Sequence, residues 1–152
     1  MDMQVSREIA ATPDRVWSVI TDIEHAPEVL SGVDEVERLD DRAGFGLGTR
    51  WRETRTMMGK QATEVMEVTS LDEGRSYTTT ALHSATTYTS VMSVEPRGAD
   101  RSALTMSFAA ETSSTAGKLL AATVGRLFAG ATRKMCARDL DDIAARVEQT
   151  EG

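Results

Sequence analysis

Between residues 33 and 112 apolar and polar side chains alternate with a period of two, broken only at residues 40–48, at Met58-Gly59-Lys60, at Asp72-Glu73-Gly74, at residues 83–85 and at Pro96-Arg97-Gly98. A period of two is that of an extended chain, and interruptions this short leave no room for crossover helices. The segment therefore reads as about six strands in an antiparallel meander, a form that suits its supply of Thr, Val, Tyr and Met.

The flanks follow another rhythm. Residues 3–10 read as one more strand. Thr12-Pro13-Asp14 then places a hydroxyl at an N-cap, a proline where its missing N–H costs nothing, and a carboxylate in the first turn of a helix carrying Val16, Trp17 and Ile20. Asp22 and Pro27 bracket a second short turn through Glu28-Val29-Leu30, which Ser31-Gly32 ends. Beyond Thr112 an Ala-, Leu- and Arg-rich stretch reads as helix over residues 116–148. Its apolar face moves: Leu120, Val124, Leu127, Phe128 and Ala131 form one stripe, and Cys136, Leu140, Ile143 and Val147 form another, rotated by more than ~100°. At about 50 Å such a helix would exceed the width of a compact domain of this size, so a bend or break is expected near Gly130.

A chain of 152 residues fits one domain, expected over residues 1–149 with 150–152 as a disordered tail. Its formal charge of -7 repels polyanions, which argues against nucleic acid as a partner. The single Cys136 has no partner for an internal disulfide and reads as a structural or semi-exposed helix thiol. No apolar run reaches membrane-span length and the first fifteen residues carry acids and arginines, so no membrane span and a cytoplasmic location are expected. His25 and His83 are the only histidines, and neither an HExxH nor a paired CxxC spacing is present; no metal and no other cofactor is expected. Gly44-Phe-Gly-Leu-Gly48 imitates a phosphate loop but precedes a strand and lacks the following Lys and helix.

The order strand, two short helices, six-strand meander, long helix resembles the START or Bet v 1-like helix-grip superfamily (SRPBCC), in particular its bacterial polyketide cyclase and dehydrase-like branch. The residues that carry the likeness are Ile9-Ala-Ala-Thr-Pro-Asp-Arg-Val-Trp17, Asp22, Pro27, Gly48 at a strand start, Glu95-Pro96-Arg97-Gly98, and the closing helix with Leu140, Ile143 and Glu148. The resemblance covers nearly the whole chain. It implies an α+β fold: a curved antiparallel sheet of about seven strands wrapped around the long C-terminal helix, with an apolar cavity between them.

Parity then sorts the strands. In Gly48-Thr-Arg-Trp-Arg-Glu-Thr-Arg-Thr-Met-Met-Gly59 and the strand after it, one face carries Trp51, Glu53, Arg55, Met57, Ala62, Glu64, Met66 and Val68, and the other Arg50, Arg52, Thr54, Thr56, Thr63 and Glu67. The tryptophan face should point inward. A two-residue turn at Gly59-Lys60 would set Arg55 opposite Glu64 and Arg52 opposite Glu67. The inward set continues with Tyr77, Thr79, Ala81 and His83, with Tyr88, Ser90, Met92 and Val94, and with Leu104, Met106, Phe108 and Ala110.

Three functions fit this pattern. The first is binding of a small hydrophobic or aromatic molecule, polyketide- or lipid-like, in a cavity lined by Trp51, Met66, Tyr77, Tyr88, Ser90, Met92, Met106, Phe108 and Phe128. The second is a cyclase, aromatase or dehydratase in the same cavity, with Glu53 or His83 moving a proton, Arg55 holding an oxyanion and a tyrosine donating to a carbonyl. The third is a protein-interaction module with an exposed groove along residues 119–128. The stripe Leu120, Val124, Leu127 and Phe128 also makes a homodimer one of the expected states. For Arg55 and its neighbouring carboxylates the competing reading is a structural ion cluster.

Overall fold

The computed structural model describes the backbone of residues 2–57, 59–83, 85–112 and 115–149, and the side chains within these except at 2, 57, 83 and 115–129. The chain opens with strand β1 (Asp2–Ile9), helix α1 (Pro13–Ile20), a 3-10 turn at Ile23–His25 and the single-turn helix α2 (Ala26–Val29). Thr12 caps α1, its hydroxyl accepting from the Arg15 N–H, with Pro13 in the first turn.

Six strands follow: β2 (Val33–Arg38), β3 (Arg50–Met57), β4 (Lys60–Asp72), β5 (Ser76–His83), β6 (Thr86–Pro96) and β7 (Ser102–Thr112). Every pairing is antiparallel, and β1 adds to β7, giving one seven-stranded sheet in the order β1-β7-β6-β5-β4-β3-β2. Register shifts between Val33 and Glu35 and between Val68 and Ser70 mark irregularities of the kind that bend a strand and sharpen its twist.

Helix α3 (Thr115–Gln149) closes the fold. Its second half presses Leu140, Ile143, Ala144 and Val147 into a core shared with Ile9, Val16, Leu104 and Val94, and Cys136 is buried one turn earlier. Polar ties hold it there. The Ala10 N–H donates to Glu148 Oε2 at 2.9 Å, Arg15 Nη2 donates to the Val147 carbonyl at 3.0 Å, and Asp142 accepts from both the N–H and the hydroxyl of Ser31. The architecture is the helix-grip arrangement, with α3 against the inner side of the curved sheet.

Two expectations need correction. Helix α3 runs through Gly130 without the break proposed there. One glycine costs a helix only about 1 kcal/mol, too little to interrupt a continuous hydrogen-bond ladder. The two apolar stripes lie on one helix; the second is the buried one seen at Cys136–Val147, and the first, including Phe128, falls, apart from the half-buried Ala131, on side chains outside those described. The β3–β4 register is the second correction. Met57 pairs with Lys60, so the two-residue turn is Met58-Gly59, with Gly59 taking the positive φ of 77°. Glu53 therefore lies opposite Glu64, Arg55 opposite Ala62 and Arg50 opposite Glu67. Arg52 turns instead to Glu37 on β2, at 2.9 Å. A shift of two residues leaves the parity of the faces unchanged.

Gly130 is exposed, and a Cβ added there would meet nothing within 4 Å. Gly130→Ala is therefore expected to stabilise the protein by about 1 kcal/mol, a rise of roughly 2–4 °C in Tm. Thermal unfolding followed by circular dichroism checks it; an unchanged or lower Tm would mean that the helix is not continuous at this point.

Candidate functional site

The registers carry the inward face across the sheet in rows. Arg38, Trp51, Met66, Ala81, Tyr88 and Ala110 make one, each opposite the next. Val68, Thr79, Ser90, Phe108 and Met3 make the next, and Leu71, Tyr77, Met92, Met106 and Val5 the third. On β5 the alternation that sequence left competing is settled by burial: Tyr77, Thr79 and Ala81 are buried, whereas Leu82 on the other face is 71% exposed.

Burial along these rows is uneven. Trp51, Tyr77, Met92 and Leu104 are buried, Leu104 completely. Met66, Tyr88, Ser90, Met106 and Phe108, on the same face, are only half-buried. The Tyr88 and Phe108 rings lie 5.8 Å apart at a tilt of 32°. Met66 and Met106 pack against the buried set, and the phenolic and apolar surface left accessible on the inner side is that of Tyr88, Ser90 and Phe108.

At the packed core, three aromatic rings meet. Tyr77 lies edge-on to Trp17 at 6.0 Å and to Phe45 at 4.8 Å, and its hydroxyl donates to the Ile20 carbonyl at 3.1 Å. Its phenol pKa is pushed far up, first by burial and then by the charges of Glu53 and Asp139. The tyrosine proton is committed to Ile20. Phe45 sits in the 39–49 loop, which Asp40 holds by accepting from the Arg50 and Arg42 N–H groups and from Arg38; these bonds draw the Asp40 carboxyl down to about 2. Outside Phe45 a surface cleft of about 280 Å³ opens between this loop and α1, bordered by Ser18, Asp22, Glu24 and Arg38.

Arg55 lies on the inward face between two carboxylates. Its Nε donates to Glu53 Oε2 at 3.3 Å, and its two terminal nitrogens reach Asp139 Oδ1 at 3.1 Å and Oδ2 at 3.0 Å. The side chains of Arg55, Glu53 and Asp139 are 16%, 17% and 2% exposed, so the cluster lies largely out of water. Burial pushes the Asp139 carboxyl upward and the guanidinium opposes it; the Arg55 pKa is raised by the two carboxylates against its own burial. A charge removed from water needs such partners. Gly32 belongs to the same knot: a Cβ there would lie 2.3 Å from an Arg138 nitrogen and 3.1 Å from Arg55 Nη1, so any larger residue would have to displace the end of the exposed Arg138 side chain.

Of the residues singled out in the sequence, Trp51, Met66, Tyr77, Tyr88, Ser90, Met92, Met106 and Phe108 share the inner face with Glu53 and Arg55. His83 pairs with Thr86 at the end of β5, and its side chain, like that of Phe128, is outside those described. Cys136 is 1% exposed, with its thiol pushed up to about 11 by burial first and Asp139 second, which removes it as a nucleophile. The residue that sequence reasoning missed is Asp139. Its signal was there: an acid between Cys136 and Leu140 on the stripe that packs inward. Among the described residues no group of three or more His, Cys, Asp or Glu is placed to hold a metal, and no helix is long and apolar enough to cross a membrane.

The family described as polyketide cyclase / dehydrase and lipid transport matches residues 1–148. The chain belongs to that family. Solved structures similar to this member of the polyketide cyclase / dehydrase family include the Zhui aromatase/cyclase from Streptomyces sp. R1128, at 18% identity and a TM-score of 0.84 over 100% of this chain and 96% of that one. A START superfamily protein from Mycobacterium smegmatis matches at 20% identity and 0.75 over 98% of each chain. Truncated norcoclaurine synthase from Thalictrum flavum matches at 18% and 0.76 over 97% and 92%. At these identities the likeness is one of fold. No curated protein matches the sequence at a significant level.

Arg55→Met leaves Asp139 and Glu53 buried beside each other without a cation, and is expected to cost about 3–5 kcal/mol at pH 7. Without its cation the Asp139 pKa rises further above its unfolded value. A carboxyl raised in the folded state favours folding when protonated, so the deficit should shrink as pH falls from 7 toward 5. Urea unfolding of both proteins at the two pH values reads this out; a deficit independent of pH would mean that Arg55 acts through packing alone.

Proposed function

We propose that this protein binds a small hydrophobic or aromatic molecule between the inner face of the sheet and α3. The observation that carries the reading is the uneven burial of one continuous face: beside the packed core, with Met66 and Met106 at its border, Tyr88, Ser90 and Phe108 stay half-buried and offer apolar area with a phenol and a hydroxyl among it. Accessible apolar surface on a concave side, set with a few polar groups, is what a ligand site requires. The three methionines Met66, Met92 and Met106 give this wall side chains that adjust to irregular shapes. Membership of a family described by cyclase, dehydrase and lipid-transport roles supports the same reading.

A second reading is catalysis on that ligand, a cyclisation or dehydration. It is favoured by the placement of Glu53 opposite Glu64 on the inward face, with Glu64 close enough to Tyr88 for its charge to help raise the phenol pKa. Carboxylates and a phenol beside an apolar pocket can move protons at a bound carbonyl chain. Similarity to an aromatase/cyclase of the same fold is in keeping with it.

Nile red, a neutral apolar dye, is expected to bind the purified protein with a rise in fluorescence. Ser90→Trp, which fills the half-buried stretch from the sheet side, should weaken binding by about tenfold or more with little change in Tm. No dye binding, or binding indifferent to Ser90→Trp, would overturn the cavity. Native mass spectrometry then identifies any co-purifying compound, and its turnover by wild type but not by Glu53→Gln would select the catalytic reading.

A further inference from the structure

We propose that the Glu53–Arg55–Asp139 triad makes the polar end of this cavity a receptor for hydrogen-bond donors that turns away carboxylates, with Glu53 as the group that meets the ligand. This rests on the cavity reading above and adds the chemical class of what the cavity takes.

Charge and geometry both lead there. An arginine on the wall of an apolar cavity would ordinarily suggest an acid-headed ligand, such as a fatty acid seated on the guanidinium. Here three of the guanidinium's five N–H groups already face carboxylates. Asp139 takes both terminal nitrogens in a paired, end-on contact, and Glu53 takes Nε. One cation faces two anions, so the cluster carries a net charge of about -1, and it does so in a site where water screens little.

The surroundings do not reverse the sign. Arg138 brings a terminal nitrogen to the same side of Gly32 as Arg55 and is a second cation at the edge of the cluster, on an exposed side chain that solvent screens. Asp142, one turn along the helix from Asp139, adds a further negative charge. Burial raises the Tyr77 phenol pKa most, and the charges of Glu53 and Asp139 add to the rise.

The roles within the triad differ. Asp139 is the most deeply buried and holds Arg55; it is a positioning residue. Arg55 holds Glu53 in turn. Glu53 is the member whose remaining lone pairs can accept from a ligand, and its row, Val36–Glu53–Glu64, lies next to that of Trp51 and Met66, the start of the apolar wall. A phenol or alcohol gains a charge-assisted hydrogen bond from this arrangement. A carboxylate of the same size meets a like charge in a medium of low dielectric constant, which at a separation of 5–7 Å is worth about tenfold or more in affinity.

Three probes of one shape test it: 2-naphthol, which donates; 2-methoxynaphthalene, which does not; and 2-naphthoate, which is anionic at pH 7. Binding is read from quenching of tryptophan fluorescence in wild type and in Glu53→Gln, whose Arg55–Asp139 pair is intact and whose fold is checked by its Tm. Wild type should prefer the naphthol to the methoxy compound by about tenfold, and Glu53→Gln should tighten the naphthoate by about tenfold while leaving the methoxy compound unchanged. A naphthoate affinity that is equal in the two proteins, or weaker in Glu53→Gln, overturns the proposal even if all three probes bind. Failure of every probe to bind wild type overturns the cavity itself, and this inference with it.

Discussion

The inner side of a single curved sheet must bury one face of one helix, and nearly everything else in the molecule follows from where that burial stops. The stripe Leu140, Ile143, Ala144 and Val147 shares one core with Ile9, Val16, Leu104 and Val94 and excludes water from that part of the sheet. Each large side chain so buried contributes on the order of 2 kcal/mol, which outweighs any single polar contact nearby. Packed there, α3 has its register along the sheet set, and the rest of the inner face is left to other uses. The half-buried patch around Tyr88 and Phe108 is what this helix, in this position, does not fill by its second half.

Polar contacts then refine a position that hydrophobic burial has selected. Glu148 on the Ala10 amide, Arg15 on the Val147 carbonyl and Asp142 on Ser31 join α3 to three separate segments through backbone groups. The Arg55–Asp139 contact belongs to this set by geometry, yet differs in kind. Both partners are charged and largely buried, and such a pair adds little net stability over an apolar isostere. What it supplies is direction, a fixed negative field at one end of an apolar surface.

The alternating faces, the seven strands and the cap of α1 were legible in the sequence because each depends on residues adjacent along the chain. Thr12-Pro13 starts a helix wherever it occurs with this spacing, and Trp51, Glu53 and Arg55 share a face in any register. The β3–β4 turn was misjudged by one position. Gly59 suits either place in a two-residue loop, so local chemistry did not discriminate between Gly59-Lys60 and Met58-Gly59, and the cross-strand charge pairs changed with it. Gly130 misled in the opposite way, since a helix breaker in isolation is only a small penalty inside a helix held by its neighbours.

Sequence alone determined which side chains face together, since a period of two or of 3.6 is a property of the backbone that no packing partner alters. It also determined that Arg55 and Glu53 would be drawn inward with Trp51, at a cost requiring compensation. Only the tertiary structure decided what compensates them. Asp139 is 84 residues from Arg55 along the chain, and their meeting depends on the curl of the sheet and the depth at which α3 seats itself. That depth is set by the fit of many apolar side chains at once, a property distributed over the whole core and written in no short stretch of the chain.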